Sequence, residues 1–79
     1  MESIPWHCEN GQLVSEFTFS DFAEAMKFVS KVGELAESVD HHPDIDIRYN
    51  RVILRLFTHS EGRITDADHD LAALIGSIG

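Results

Sequence analysis

The sequence predicts an α+β domain in which a four-stranded antiparallel sheet carries helices on one face, in the order β-β-α-β-β-α. Two hydrophobic patterns lead to this class. In short segments apolar and polar residues alternate, and in two longer segments apolar residues recur every three or four positions. Turn residues divide the alternating segments into two pairs. With 79 residues, the chain is expected to form a single domain over residues 1–79.

The first pair of strands is predicted on either side of Asn10-Gly11. This dipeptide readily adopts the positive φ angles of a two-residue hairpin turn. After the turn, the segment QLVSEFTFS places Leu13 and Phe17 on one face of a strand and Glu16 on the other. Such alternation is typical of a strand with one buried face.

A long helix is predicted from about Ser20 to Asp40. Ser20 or Asp21 can accept a hydrogen bond from an amide of the first turn. A stripe of apolar residues at helical spacing consists of Phe22, Ala25, Met26, Val29, Val32, Ala36 and Val39. Because Phe28 and Leu35 flank this stripe, the helix is apolar over a wide arc, which either core packing or a subunit contact would explain.

Two further strands and a second helix are predicted after this helix. Pro43 disfavours helical geometry at His42, so the helix should end near the histidine pair. The segments DIDIRY and RVILRLFTH predict strands joined by a tight turn near Asn50. The last helix is expected to begin at Thr65, with Asp68 completing a capping box. Residues expected to reach the core here are Ile45, Ile47, Tyr49, Leu71, Leu74, Ile75 and Ile78.

Composition excludes several classes of function. Fourteen acidic and six basic residues give a net charge of −8, and the basic residues are scattered, so direct nucleic-acid binding is not expected. No apolar run approaches the roughly 20 residues of a membrane span. A single cysteine cannot form an internal disulfide, which favours a cytoplasmic location. A core this small favours self-association.

The histidines are the candidate catalytic residues. A hairpin turn near Asn50 places residues whose numbers add to about 100 opposite each other, so His41 and His59 should meet at one end of the sheet, beside His42. Imidazoles, with an unperturbed pKa of about 6.5, suit general acid–base catalysis near neutral pH. Carboxylates that could fix their tautomers are Glu37, Asp40 and Asp68.

Spacing alone leaves other interpretations open. His41, His42 and Pro43 could simply end the helix, with His59 an exposed strand end. A metal site formed by the three histidines is less favoured, because adjacent histidines rarely chelate one ion. Asp68 could cap its helix and also orient His59.

Seven residues at fixed spacing carry a more specific signal. An acidic residue is followed, after three other residues, by His-His-Pro, and an aromatic residue stands six positions after the proline. A histidine stands ten positions after that aromatic residue, and an aspartate nine positions after that histidine. This pattern resembles the signature of the pterin-4a-carbinolamine dehydratase family, also known as the dimerization cofactor of a homeodomain transcription factor. The positions are filled here by Glu37, His41, His42, Pro43, Tyr49, His59 and Asp68.

The resemblance implies loss of water from a 4a-hydroxytetrahydropterin to give a quinonoid dihydropterin. It implies a catalytic set of His41, His59 and His42, in which His42 mainly binds and orients the pterin. No metal or organic cofactor is expected. The chain is expected to associate with copies of itself, as a dimer or a tetramer. The same fold could also bind another protein.

The resemblance also implies supporting positions. Groups around Pro43, Asp44 and Thr58 are expected to bind substrate, and Glu37 and Asp68 are expected to support the histidines. Many members of the family carry a helix before the first strand, and this chain is expected to lack it. An alternative function is a non-catalytic protein-binding or assembly factor.

Overall fold

A computed structural model describes residues 2–78 and confirms the predicted fold class and element order. The four strands form one antiparallel sheet in the order β1-β2-β4-β3. The elements are β1 (Glu2–Glu9), β2 (Gln12–Thr18), α1 (Phe22–Val39), β3 (Asp44–Arg48), β4 (Arg51–Leu56) and α2 (Asp66–Ile78).

The predicted turn and helix cap are both present. Asn10 and Gly11 connect β1 to β2 with φ angles of 52° and 76°. Asp21 precedes α1, and its carboxylate accepts a hydrogen bond from the backbone N–H of Glu24 at 2.9 Å. Both features satisfy local backbone requirements that the sequence alone makes visible.

The buried face of α1 is centred differently from the predicted stripe. Its buried residues include Phe28, whose ring lies 4.6 Å from that of Phe17 and 5.1 Å from that of Phe19, measured between centroids. Phe22 and Val39, which were predicted to be buried, are 48% and 45% exposed. The buried face is shifted because Phe17 of β2 and Phe19, the residue after β2, pack on Phe28.

The core lies between the sheet and the two helices. On the helix-facing side of the sheet, Leu13 pairs with Leu56 and Phe17 with Val52. In α2, Leu74 is 38% exposed although it was predicted to be buried. The remaining core residues are Ala25, Phe28, Val32, Leu54, Leu71, Ala72 and Ile75.

The expectation that Tyr49 reaches the core is wrong. Tyr49 occupies the turn between β3 and β4 with a φ angle of 54°, and it is 67% exposed. Its ring stacks on Phe22 with centroids 6.5 Å apart. β3 is an edge strand of the sheet, so Ile45 and Ile47 are also partly exposed.

Within residues 2–78, no helix combines the length and apolar character needed to cross a membrane.

Candidate active site

The residues before β3 and after β4 lie at the same end of the sheet, because these two strands are antiparallel. Asp44 pairs with Arg55 and Arg48 pairs with Arg51. Continued beyond the strands, this register places Thr58 across from His41, one residue away from the predicted partner His59. The hydrogen bonds of His41 and Thr58 to the same carboxylate, that of Asp68, agree with this shift.

The end of α1 fixes the backbone of His41. Asp40 has a left-handed conformation with a φ angle of 51°. The N–H of His41 donates to the carbonyl of Ala36 at 3.1 Å, and the N–H of Asp40 donates to that of Glu37 at 3.4 Å. These two bonds form a Schellman motif, which ends the helix and sets the direction in which His41 leaves it.

The side chain of His41 is held by Asp68. Nε2 of His41 lies 2.5 Å from Oδ1 of Asp68, which belongs to the first turn of α2. The Asp68 side chain is completely buried, whereas that of His41 is 17% exposed. One edge of the imidazole is therefore anchored in the interior while the ring stays accessible at the surface.

The other oxygen of Asp68 accepts two more hydrogen bonds. Oδ2 accepts from the hydroxyl of Thr58 at 2.7 Å and from the backbone N–H of Thr65 at 2.9 Å. The second bond is one of the two bonds of the predicted capping box. The N–H of Asp68 donates to the backbone carbonyl of Thr65 at 3.0 Å instead of to its hydroxyl, so within residues 2–78 the box is only half formed. The hydrogen bonds join Asp68 to His41 and not to His59.

These contacts decide the ionisation of Asp68. Burial by itself would raise the pKa of Asp68, but hydrogen bonds from His41, Thr58 and the Thr65 N–H outweigh burial and hold the pKa below its ordinary value. Asp68 is therefore a carboxylate at neutral pH and can only accept hydrogen bonds.

The tautomer of neutral His41 follows from this ionisation. Because Asp68 accepts, Nε2 of His41 must carry the hydrogen, and Nδ1 keeps its lone pair. The hydrogen bonds among residues 2–78 include none to Nδ1 of His41. Nδ1 is thus the atom through which His41 can exchange a proton with a bound molecule.

The second histidine has its own carboxylate partner. Nε2 of His42 forms a hydrogen bond with a carboxylate oxygen of Glu37 across the end of α1. Both side chains are largely exposed, at 54% for His42 and 78% for Glu37. Pro43 is half-buried and Asp44, the first residue of β3, is exposed. These residues face solvent and can contact a ligand without rearrangement of the core.

His59 lies in a tight loop after β4. Thr58 and Gly62 close the loop, since the N–H of Gly62 donates to the Thr58 carbonyl at 2.9 Å. Gly62 has a φ angle of 66°, which favours glycine. The ring of His59 is edge-on to Phe57 at 5.2 Å between centroids. Within residues 2–78, no hydrogen bond joins His59 to either of the other two site histidines.

A cavity of about 190 Å³ borders His41 between the end of α1 and the start of α2. Its other lining residues are Val39, Ala67, Asp70 and Leu71, so it contains neither His42 nor His59. Across residues 2–78, no three His, Cys, Asp or Glu side chains are grouped so that they could hold a metal ion.

Sequence reasoning missed the hydroxyl network beside Asp68. Thr65 was predicted only as a helix cap, yet its hydroxyl lies 2.7 Å from that of Thr58. The strand register could have revealed this network, because the observed pairing of β3 with β4 places Thr58 opposite His41.

The lowered pKa of Asp68 predicts an acid-sensitive component of stability. The folded state releases this proton more readily than the unfolded chain, so the stabilisation is complete above the ordinary pKa of 3.8 and is lost as pH falls towards the lowered value. Urea unfolding from neutral pH to about pH 3 should therefore show a steeper loss of stability in the unaltered protein than in Asp68→Asn. Equal slopes would contradict this, and Asp66→Asn serves as the matched exposed control.

Comparison with known proteins places the chain in a family. The sequence profile described as "Pterin 4 alpha carbinolamine dehydratase" matches residues 2–78. The chain belongs to this family. The resemblance inferred from the seven-residue signature is thereby confirmed.

Relatives in the family are identical to this chain at about half of the aligned positions. A protein of Metallosphaera sedula, named "Putative pterin-4-alpha-carbinolamine dehydratase", is 52% identical over 67 residues, which are 85% of this chain and 70% of the relative. A protein of Acidobacterium capsulatum with the same name is 51% identical over 79 residues, covering 99% of this chain and 86% of the relative.

Two solved structures share the fold. The transcriptional coactivator/pterin dehydratase of Brucella melitensis superposes with a TM-score of 0.87 at 35% identity, over 92% of this chain and 80% of that one. A pterin dehydratase-like protein identified as a RuBisCO assembly factor of the alpha-carboxysome has a TM-score of 0.80 at 20% identity, over 95% and 89%. The second similarity concerns the fold alone.

Proposed function

We propose that this protein is a dehydratase that removes water from a 4a-hydroxytetrahydropterin to give a quinonoid dihydropterin. The observation that carries the proposal is the anchoring of His41 by the buried Asp68, which leaves Nδ1 of an accessible imidazole available for proton transfer. Membership of the pterin dehydratase family supplies the substrate class.

The reaction needs one acid and one base. The acid protonates the departing 4a-hydroxyl, the C–O bond breaks and water leaves. The base takes a proton from a ring nitrogen, and the electrons of that N–H bond complete the new double bond. His41 and His59 are the proposed pair, and the charge of Asp68 compensates the positive charge on His41 whenever Nδ1 is protonated.

The exposed groups around this pair are the proposed pterin contacts. His42, oriented by Glu37, is placed to bind the polar edge of the ring, together with groups around Pro43 and Asp44. The product would require reduction to return to the tetrahydro state. The proposed physiological role is therefore the recycling of a tetrahydropterin after aromatic hydroxylation.

A turnover assay tests the proposal. Chemically prepared 4a-hydroxytetrahydropterin should dehydrate faster with the protein than in buffer alone. His7→Ala should retain the full rate because His7 lies on β1, the edge of the sheet opposite β3. A rate equal to that in buffer would contradict the proposal.

Exposed apolar residues favour a second proposal, self-association or binding of another protein. Phe22, Ile45, Ile47 and Tyr49 are all at least 37% exposed, and they lie on or beside the unpaired edge strand β3. Apolar side chains along a strand edge are typical of an interface. Sedimentation of the unaltered protein and of Ile47→Lys should show a larger assembly for the former. A stoichiometric protein partner without pterin turnover would favour the non-catalytic alternative.

A further inference from the structure

Thr58 and Thr65 form a connected pair of hydroxyls behind Asp68. Oγ1 of Thr58 lies 2.7 Å from Oδ2 of Asp68 and 2.7 Å from Oγ1 of Thr65. The three residues come from three places in the chain: the loop after β4, the residue before α2 and the first turn of α2. These two contacts and the bond from the Thr65 N–H to Asp68 are all part-buried, so water competes weakly for the groups involved.

The direction of each hydrogen bond in this pair is determined. Asp68 is ionised and offers no hydrogen, so Thr58 must donate its single hydroxyl hydrogen to Oδ2. The contact between the two hydroxyls then requires Thr65 to donate and Thr58 to accept. Thr65 thus supports Asp68 twice, through its own N–H and, by way of Thr58, through its hydroxyl.

We propose that Thr58 and Thr65 are positioning residues, whose hydroxyls act in series to hold the Asp68 carboxylate and so fix the orientation and tautomer of His41. Because the only hydroxyl hydrogen of Thr58 is donated to Asp68, its hydroxyl has none left to donate to substrate, and we propose the positioning role in place of the expected substrate contact. The inference rests on the proposed function only for the identity of the reaction that His41 serves.

Threonine variants with and without the hydroxyl test the inference. Thr58→Val and Thr65→Val remove one hydroxyl each with little change in volume, and Thr58→Ser and Thr65→Ser retain it. The ¹⁵N resonances of His41 report its tautomer independently of activity. We expect the Nε2–H form in the unaltered protein and in both serine variants. In Thr58→Val the Asp68 carboxylate loses one of its supports and should turn away from Nε2 of His41 part of the time, which gives a mixture of the two tautomers; Thr65→Val should show a smaller change.

Kinetics supply the second readout. Thr58→Val should lower kcat for dehydration by about 10-fold, the effect expected from one lost hydrogen bond to a charged group, with little change in KM. A raised KM with an unchanged His41 tautomer would overturn the inference, since that result indicates a substrate contact. A lowered melting temperature with an unchanged tautomer would overturn it too. If Thr58→Val does not fold, Thr65→Val against Thr65→Ser decides in the same way.

The two proposals can fail separately. If the unaltered protein does not dehydrate the pterin but the His41 tautomer changes as stated, the proposed function is wrong and the positioning role stands. If dehydration occurs and His41 keeps one tautomer in every folded valine variant, the positioning role is wrong and the function stands.

Discussion

Replacing His41 by glutamine is expected to lower kcat for pterin dehydration by about 10²–10⁴-fold, the usual contribution of a positioned acid or base. Glutamine can place its amide nitrogen where Nε2 of the imidazole lies, so the hydrogen bond to the buried Asp68 can be kept. It has no group that titrates near neutral pH. The variant therefore separates the proton-transfer role of His41 from its structural role.

The free energy of unfolding should distinguish this variant from His41→Ala. His41→Gln should unfold close to the unaltered protein, whereas His41→Ala should be less stable because Oδ1 of Asp68 loses a donor. Both should be almost inactive in stopped-flow dehydration assays, while His69→Ala, one residue after Asp68 in α2, should keep its activity. Full activity in His41→Gln would show that His41 transfers no proton.

Asp68→Asn should also lower kcat by about 10²–10⁴-fold, although it removes no group that touches substrate. The amide nitrogen of the introduced asparagine cannot face the backbone N–H of Thr65, because two donors would meet there. The amide oxygen must take that place, so the amide nitrogen faces His41. Nε2 of His41 must then accept, and the hydrogen moves to Nδ1. The atom that should take a proton is thereby already occupied.

The reversed tautomer is directly observable. ¹⁵N spectra should show His41 protonated at Nε2 in the unaltered protein and at Nδ1 in Asp68→Asn. Asp66→Asn removes a charge from the same helical turn without contacting His41, and it should change neither the tautomer nor kcat. An active Asp68→Asn with the reversed tautomer would contradict the assigned role of Nδ1.

The features that the sequence predicts best are those decided by neighbouring residues. Asn10-Gly11 forms its hairpin turn because few other pairs tolerate two positive φ angles. Asp21 caps α1 because its carboxylate reaches an amide three residues later. Asp68 lies three residues after Thr65 in α2 and bonds back to the Thr65 N–H. Each interaction spans a few residues, so spacing alone reveals it.

Features that depend on packing between elements were predicted less well. Apolar spacing in α1 did not distinguish Phe22 from Phe28, because the choice depends on the rings of Phe17 and Phe19, which pack on the helix at the end of β2. Tyr49 was placed in the core because the alternation was continued into a turn residue. Hydrophobic periodicity indicates that a face is apolar but not which part of it is covered.

The candidate site shows the same division. The histidine pair at the end of α1 and its carboxylates were visible in the sequence. The pairing of His41 with Asp68, supported by Thr58, was not, because it depends on a register one residue away from the predicted one and on side-chain directions from three elements. When the register of β3 and β4 shifts by one residue, the residue opposite His41 changes from His59 to Thr58.

The most direct test of the central claim is a crystal structure of the protein with a stable dihydropterin bound. We expect a pterin ring within about 3 Å of Nδ1 of His41, in contact with His42 and with His59 on its other side. A pterin bound elsewhere would contradict it, for example in the cavity of about 460 Å³ between Glu61, Arg63 and His69. So would a bound pterin that leaves Nδ1 of His41 facing solvent.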